Sequence, residues 1–89
     1  MSNIKKTIIV YPNPITGKAT IEFDNTIPEN VNIDIFNEKG IKIQNIFSGY
    51  LDARKQIFYW DTNHIPNGVY LCNIVSKNLK LVTKIIISK

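Results

Sequence analysis

Apolar and polar residues alternate along most of this chain, and the alternation has the two-residue period of a β-strand. In residues 18–24, for example, Ala19, Ile21 and Phe23 fall on one face, and polar or charged residues fall on the other. No segment of the sequence shows the 3.6-residue repeat of an amphipathic helix. The same reasoning predicts seven strands, at residues 7–10, 18–24, 31–36, 41–47, 56–60, 69–75 and 79–87.

The middle of the chain contains a predicted hairpin. Residues 37–40 end in glycine, which suits a type I turn followed by a bulge, so residues 31–47 are expected to form two antiparallel arms. Two consecutive apolar residues break the alternation just after Asn45, which predicts a bulge or a strand end there. Residues 48–55 are expected to form a loop.

Two connectors hold most of the residues that leave regular structure. Residues 11–14, Tyr-Pro-Asn-Pro, end the first strand, because proline has no N–H to donate to a sheet. Residues 61–68 include Pro66 and Gly68, which predict a structured corner rather than an extended strand. Ile65 is the only apolar side chain apart from proline in that corner, and we expect it to pack against the core.

The spacing of the strands, near ten residues, favours two antiparallel sheets packed as a sandwich, with a small barrel as the alternative. The composition agrees, since the chain has 17 Ile, 5 Val and 6 Thr but only 2 Ala and 4 Leu. A chain of 89 residues can build one modest core. We therefore expect one domain over residues 7–89, preceded by a disordered or added leader over residues 1–6.

Charge is distributed unevenly along the chain, although the formal net charge is only +4. Every acidic residue lies between residues 22 and 61, whereas the two ends carry lysines only. If the terminal strands lie together, they form a basic face. On the outward side of the last strand, Lys80 and Lys84 alternate with Val82 and Ile86, which indicates a contact surface unless another strand or loop covers it.

Few side chains suggest chemistry, and no cofactor is expected. The single cysteine, Cys72, excludes an internal disulfide, and its strand spacing predicts a buried apolar role rather than a reactive pair with His64, itself expected at the surface. The Asp61 carboxylate is expected to accept backbone N–H groups two or three residues further on. A calcium site that Asp61 shares with Asn63 and Asn67 is the alternative.

Binding of nucleic acid or of carbohydrate would require exposed aromatic side chains. The candidates for exposure on a sheet face are Phe36, Phe58 and Trp60. Acidic residues neighbour them, so we expect cross-strand packing and no nucleic-acid binding. Tyr50, Tyr59 and Tyr70 could instead line a sugar-binding platform. No run of residues approaches the roughly 18 apolar residues of a membrane span, and membrane insertion is not expected.

Three motifs occur in an order and at a spacing that resemble a known family. They are Val-Tyr-Pro-Asn-Pro at residues 10–14 with the strand 19–23, the strand–Asn–x–x–Gly hairpin at residues 31–40, and Ile-Pro-Asn-Gly-Val-Tyr at residues 65–70 with Lys84 in a final strand closing on Lys89. Together they resemble the type A C-terminal sorting domain of the type IX (Por) secretion system of Bacteroidota. The resemblance covers residues 8–89.

The resemblance implies an immunoglobulin-like sandwich of seven antiparallel strands with a non-enzymatic role as an address. In that family the domain follows a large exported cargo and is read by an outer-membrane translocon. The implied partners are that translocon, a shuttle, a sortase-like transpeptidase that removes the domain and joins the cargo to the cell surface, and the upstream cargo in the same polypeptide. The implied location is secreted or at the cell surface, reached through the periplasm.

The first residues of the chain lack the apolar region of a signal peptide, so we expect the sequence to be a piece of a longer protein. A sorting domain would end that protein, whereas an adhesion or carbohydrate-binding module, the alternative function, could be followed by further domains. Unpaired edge strands also allow a homodimer.

Recognition residues follow from the motifs and from the terminal strand. They are Tyr11, Pro12, Asn13 and Pro14 in the first motif, Gly68, Val69 and Tyr70 in the internal motif, and Lys80, Lys84 and Lys89, which we assign to the terminal strand. We expect the terminal strand to be the part that is read, through main-chain pairing, apolar contacts and charge.

Overall fold

The computed structural model describes residues 8–89, and all the regular structure in this range is β-strand. The strands are β1 (Ile8–Tyr11), β2 (Lys18–Asp24), β3 (Glu29–Asn37), β4 (Lys42–Leu51), β5 (Lys55–Asp61), β6 (Gly68–Ser76) and β7 (Leu79–Ile87). All seven predicted strands are confirmed. The predicted leader and Thr7, the predicted first residue of β1, lie outside the described residues. The described part of the chain contains no helix that could cross a membrane.

The strands form two sheets, which confirms the predicted immunoglobulin-like sandwich. One sheet has three strands in the order β1-β2-β5, and the other has four in the order β4-β3-β6-β7. All the strands that pair are antiparallel. The two terminal strands, β1 and β7, are edge strands on the same side of the sandwich, because Ile15, just after β1, bridges Ile87 in parallel.

The core lies between the sheets and uses the alternate positions of each strand. Fully buried side chains include Ala19, Ile21 and Phe23 of β2, Val31, Ile33 and Ile35 of β3, and Cys72 and Ile74 of β6. Two residues outside the strands, Ile15 and Ile65, also enter the core, and the predicted packing of Ile65 is thereby confirmed. Each such burial contributes about 1.5–3 kcal/mol, so the two connectors are held to the core by their single large apolar side chains.

The predicted loop at residues 48–55 is wrong, because β4 continues to Leu51 and β5 begins at Lys55. Gly49 marks a loop in the sequence, yet it lies within the strand at φ 151°, opposite Val31 of β3. Pairing with a buried central strand outweighs the weak local preference of residues 48–51 for a turn. The Asn25 side chain secures the end of β4 by donating to the carbonyls of Leu51 at 3.2 Å and Asp52 at 2.9 Å.

The predicted hairpin and its bulge are both confirmed. Gly40 adopts a φ of 81°, and its N–H donates to the carbonyl of Asn37 at 3.0 Å. The register of β3 against β4 then shifts twice, between Ile33 and Asp34 and between Ile35 and Phe36. The first shift leaves an extra residue on β4 next to Asn45. Each bulge turns the strand, so the edge formed by β4 is irregular.

Candidate functional site

β7 is an edge strand with one buried face and one exposed face. Its odd-numbered positions face the core, where Ile85 and Ile87 are buried. Its even-numbered positions face solvent, and the apolar pair Val82 and Ile86 is 50% and 39% exposed. The predicted row of alternating lysine and apolar side chains is therefore confirmed as an exposed surface.

The main chain of β7 is covered only near its C-terminal end. The N–H of Ile15 donates to the carbonyl of Ile86 at 2.8 Å, and the N–H of Ser88 donates to the carbonyl of Ile15 at 2.9 Å. Since main-chain groups alternate in direction along a strand, the even-numbered positions point away from β6. No other residue within the range 8–89 pairs with this side of β7, so the N–H and C=O groups of Lys80, Val82 and Lys84 form an open edge.

The lysines of this open edge have apolar neighbours. Lys80 lies opposite Val75 of β6, and Lys84 lies opposite Leu71. No acidic side chain among residues 8–89 forms an ion pair with either lysine. Asp34, on the same outer face of the sheet, accepts instead from Asn45 at 2.8 Å and lies 3.9 Å from the Lys42 ammonium. The outer surface of β7 is consequently basic and apolar, with its charge uncompensated.

Lys89 does not belong to this surface. β7 ends at Ile87, so the prediction that Lys89 lies in the terminal strand is wrong. Its ammonium turns towards residues 61–68 and donates to the carbonyls of Thr62 at 2.8 Å, Asn63 at 3.1 Å and Ile65. Its backbone N–H donates to the side-chain oxygen of Asn67 at 2.9 Å. Hydrogen bonds from an ammonium are stronger than neutral ones, so Lys89 anchors the end of the chain to this corner.

We call the set of residues 12–17, 61–68 and 86–89 the junction, because these segments meet at one end of the sandwich. Thr62 is fully buried there, and both its N–H, at 3.2 Å, and its hydroxyl donate to the carbonyl of Gly17. The Asp61 carboxylate accepts from the N–H of Asn63 at 2.9 Å, as predicted. The oxygens considered for calcium on Asp61 and Asn67 thus accept N–H groups of the chain itself.

The internal motif, Gly68, Val69 and Tyr70, connects residues 61–68 of the junction to β6. Gly68 begins β6 at a φ of 155°, a backbone conformation that favours glycine. Tyr70 is only 7% exposed, and its hydroxyl donates to the carbonyl of Pro66 at 2.6 Å. Val69 is half-buried opposite Ile86. The motif therefore joins the corner to β6 and contacts β7 from the neighbouring strand.

The first motif, residues 11–14, leads the chain from β1 to the junction. The bonds before Pro12 and before Pro14 are both cis, and residues 12–14 are exposed. Tyr11 lies on the outer face of the three-stranded sheet, where its hydroxyl donates to the Glu22 carboxylate. This hydrogen bond lowers the pKa of Glu22 and raises the pKa of Tyr11. Ile15 follows, at 0% exposure, and pairs with β7.

Ile15, Thr62 and Asn67 complete the junction; the sequence reasoning assigned no role there to Ile15 or Thr62, and it considered Asn67 only as an alternative calcium ligand. Ile15 did carry a signal, because it is the only apolar side chain apart from proline among residues 12–17, as Ile65 is in the corner. The hydrogen bonds that Thr62 and Asn67 make there carried no signal, since polar residues are common in any connector. Their partners, Gly17 and Lys89, are distant in sequence.

The structure places the alternative candidates apart from one another. Trp60, a candidate for exposure, is only 1% exposed, and its ring packs edge-on against Tyr70 at 6.4 Å between centroids. The three tyrosines of the proposed sugar platform also separate. Tyr70 is in the core, whereas Tyr50 and Tyr59 lie in different sheets.

Cys72 is buried in the core, as predicted from its strand spacing. Burial, with a smaller contribution from the charge of Asp34, raises the pKa of its thiol to about 12. A thiol with this pKa is almost entirely protonated at neutral pH and is a poor nucleophile. His64 is exposed, as predicted.

Comparisons with known proteins agree with the geometry. The model of the family described as "Secretion system C-terminal sorting domain" matches residues 9–88. Among solved structures, the chain is similar to the crystal structure of dimeric latent PorU from Porphyromonas gingivalis, with a TM-score of 0.68 and 22% sequence identity. That similarity covers 90% of this chain but only 9% of the PorU chain, so it concerns the fold of one small part of that protein. No curated protein matches the sequence.

Proposed function

Because the chain belongs to the family of secretion system C-terminal sorting domains and is a sorting signal of type IX secretion, we propose that the export machinery reads it at β7. The open edge of this strand carries the proposal. Lys80, Val82 and Lys84 direct both their side chains and their main-chain groups towards solvent, which is the arrangement that strand-addition binding requires.

In this proposal the remaining motif residues act by positioning β7. Residues 11–14 bring Ile15 to the C-terminal end of the strand, Gly68, Val69 and Tyr70 hold the neighbouring strand, and Lys89 fixes the chain end on the corner. A rigid strand is recognised with a smaller loss of conformational entropy than a mobile one. The lysines steer the encounter, and the main-chain and apolar contacts hold the complex.

The partners and fate of the domain extend the proposal. We propose that the partners are outer-membrane components of the type IX machinery, namely the translocon, a shuttle and a sortase-like transpeptidase, and that an upstream cargo passes through the periplasm to the surface or medium. The domain performs no catalysis in this scheme. The buried, protonated Cys72 thiol supports that assignment.

The test is an export assay with matched charge changes. A fluorescent cargo with a signal peptide is fused to residues 7–89 and expressed in a host that has the type IX machinery and in a host that lacks it. The double variant Lys80→Glu/Lys84→Glu is compared with Lys39→Glu/Arg54→Glu, which changes the net charge equally at exposed positions in the β3–β4 and β4–β5 connections.

We expect the unchanged fusion and the control variant to reach the surface or medium only in the first host. The Lys80→Glu/Lys84→Glu fusion should stay in the periplasm, with the domain folded as judged by protease resistance. Normal export of that variant would refute the assignment of recognition to β7.

A further inference from the structure

The open edge of β7 also specifies the chemistry of what binds it. We propose, on the basis of the function proposed above, that the segment that reads β7 is an extended strand with the pattern acidic–x–apolar–x–acidic. This strand joins the four-stranded sheet beside Lys80, Val82 and Lys84, with its acidic side chains opposite the lysines.

The main-chain geometry supports a strand as the occupant. Lys80, Val82 and Lys84 each direct an N–H and a C=O away from β6, and unpaired main-chain groups in a row are a template for another strand. β7 also keeps one register against β6 over all nine of its residues. A ligand without a peptide backbone would leave these groups to water.

The length of the binding site is limited at one end. Beyond Lys84, Ile15 already pairs with the carbonyl of Ile86 and the N–H of Ser88. An added strand must therefore end near Ile85. It can pair with three outward-facing positions of β7, namely Lys80, Val82 and Lys84. A segment of about seven residues is sufficient, since strand residues advance by about 3.3 Å each.

The charge pattern decides which strand fits. Directly opposite side chains on neighbouring strands interact most strongly, and opposite charges stabilise while like charges destabilise the pair. Lys80 and Lys84 have no acidic partner within the described residues, so acidic residues at both ends of the added segment would complete two ion pairs. Val82, half exposed between them, favours an apolar residue at the centre.

The same pattern disfavours a second copy of the chain at this edge in the register that is centred on Val82. In an antiparallel, two-fold pairing of β7 with β7 centred on Val82, Lys80 of each copy would lie opposite Lys84 of the other. The pairing would then contain two pairs of directly opposed lysines, and their repulsion would weaken association. A homodimer paired in this register is thus disfavoured, whereas an acidic segment of another protein would be stabilised.

The first test uses two blocked peptides, Thr-Glu-Thr-Val-Thr-Glu-Thr and Thr-Lys-Thr-Val-Thr-Lys-Thr, titrated into the folded domain with binding followed by amide chemical shifts. The pattern is symmetric, so either strand direction presents the same side chains. We expect the glutamate peptide to bind at least about tenfold more tightly, with shifts concentrated on β7. The Lys80→Glu/Lys84→Glu domain should reverse the preference. No preference, or no binding at millimolar peptide, would overturn the inference.

The second test separates strand pairing from simple charge attraction. The glutamate peptide is N-methylated at alternate residues, in two versions that block one side of its backbone or the other while keeping every charge. One version should lose all measurable binding, and the other should retain it. Val82→Pro should likewise abolish binding of the unmodified peptide, since Val82 directs its N–H to the open edge and not to β6. Equal binding of both methylated versions would overturn the inference.

The outcomes for the peptide and for export are independent. If Lys80→Glu/Lys84→Glu blocks export but the peptides do not bind, the proposed function stands and the acidic-strand inference falls. If that variant is exported normally, recognition through β7 falls, whatever the peptides do.

Discussion

β4 and β7 are the two edge strands of the same sheet, and they differ in how regular their exposed edges are. β4 contains two register shifts against β3 within ten residues, and it is connected to the other sheet by a hydrogen bond from the Trp60 indole to the Gln44 side chain at 2.8 Å. β7 contains no shift over nine residues. Within residues 8–89, its pairing with β6 is supplemented by main-chain hydrogen bonds to Ile15 at its C-terminal end, and Lys89, just after it, bonds to the corner.

This difference indicates which edge is closed and which is available. Bulges twist an edge strand and interrupt the row of main-chain groups that another strand could use, and they are a common protection against aggregation. β4 has this protection and β7 relies on its lysines alone. Since β4 of the same sheet contains bulges and β7 does not, the regular, open edge of β7 is consistent with a role in binding.

The largest expected effect comes from breaking the connection of β4. Trp60→Ala should lower the free energy of unfolding by about 3–5 kcal/mol, because it empties a fully buried ring site and leaves Gln44 without its donor. Trp60→Phe keeps a ring in the core and should cost less than half as much. Far-UV circular dichroism in urea measures both, since the only tryptophan is removed. A loss below 1 kcal/mol for Trp60→Ala, on the order of a surface change, would contradict this account.

Ile15→Ala is the corresponding substitution for β7, because Ile15 connects the end of this strand to the segment that follows β1. It should cost about 2–4 kcal/mol, because the side chain is fully buried and anchors the segment that pairs with Ile86 and Ser88. Hydrogen exchange should accelerate first at the Ser88 amide, whereas amides of β4 should keep their protection. Equal acceleration in both edge strands would show that the two connections are not separate.

Two lysines near the end of the chain sharpen the comparison within β7 itself. Lys89→Met should lower stability by about 1 kcal/mol, since three carbonyls of the corner lose their ammonium donor at a partly solvated site. Lys84→Met should change it by less than about 0.5 kcal/mol, because this side chain makes only surface contacts. Thermal unfolding of the two variants measures the difference. If Lys84→Met were the more destabilising variant, the assignment of Lys89 to anchoring and of Lys84 to recognition would be wrong.

The smallest expected effect concerns the bulge of β4. The Asn45 amide donates to Asp34 at 2.8 Å and to the Ser48 hydroxyl at 3.0 Å, and these bonds span the register shift. Asn45→Ala should therefore cost about 0.5–1 kcal/mol in urea unfolding, and Asn32→Ala, an exposed asparagine of β3, should cost less. An equal cost for both would mean that the side chain of Asn45 does not support the bulge.

The sequence predicted the strands, their buried faces and the bulge near Asn45, because these depend on local alternation and turn residues. Ile65 and Asp61 were also predictable, since each has an unusual character within its own connector. The motifs identified the family. The structural signals lie within about ten residues of the feature that they predict, whereas the family motifs are spread from residue 10 to residue 89.

Features that depend on distant pairing were not predictable. Gly49 marked a loop, but the pairing of β4 with β3 includes it in the strand. Trp60 was a candidate for exposure together with Phe36 and Phe58, and the sequence did not show that its ring lies in the core. Lys89 continues the pattern of basic residues near the end of the chain, and nothing in the sequence shows that three carbonyls from residues 62–65 converge at its ammonium.

The burial of Cys72 has a practical consequence, because the rate at which a reagent alkylates this thiol depends on how often the sandwich opens. Only a molecule in which β6 leaves the core exposes this sulfur to an alkylating reagent, and the chain has no other thiol to react. When opening and closing are fast relative to the reagent, the modification rate equals the intrinsic thiol rate multiplied by the open fraction. Mass spectrometry of a timed reaction would therefore report the open fraction of the domain in a single sample without denaturant.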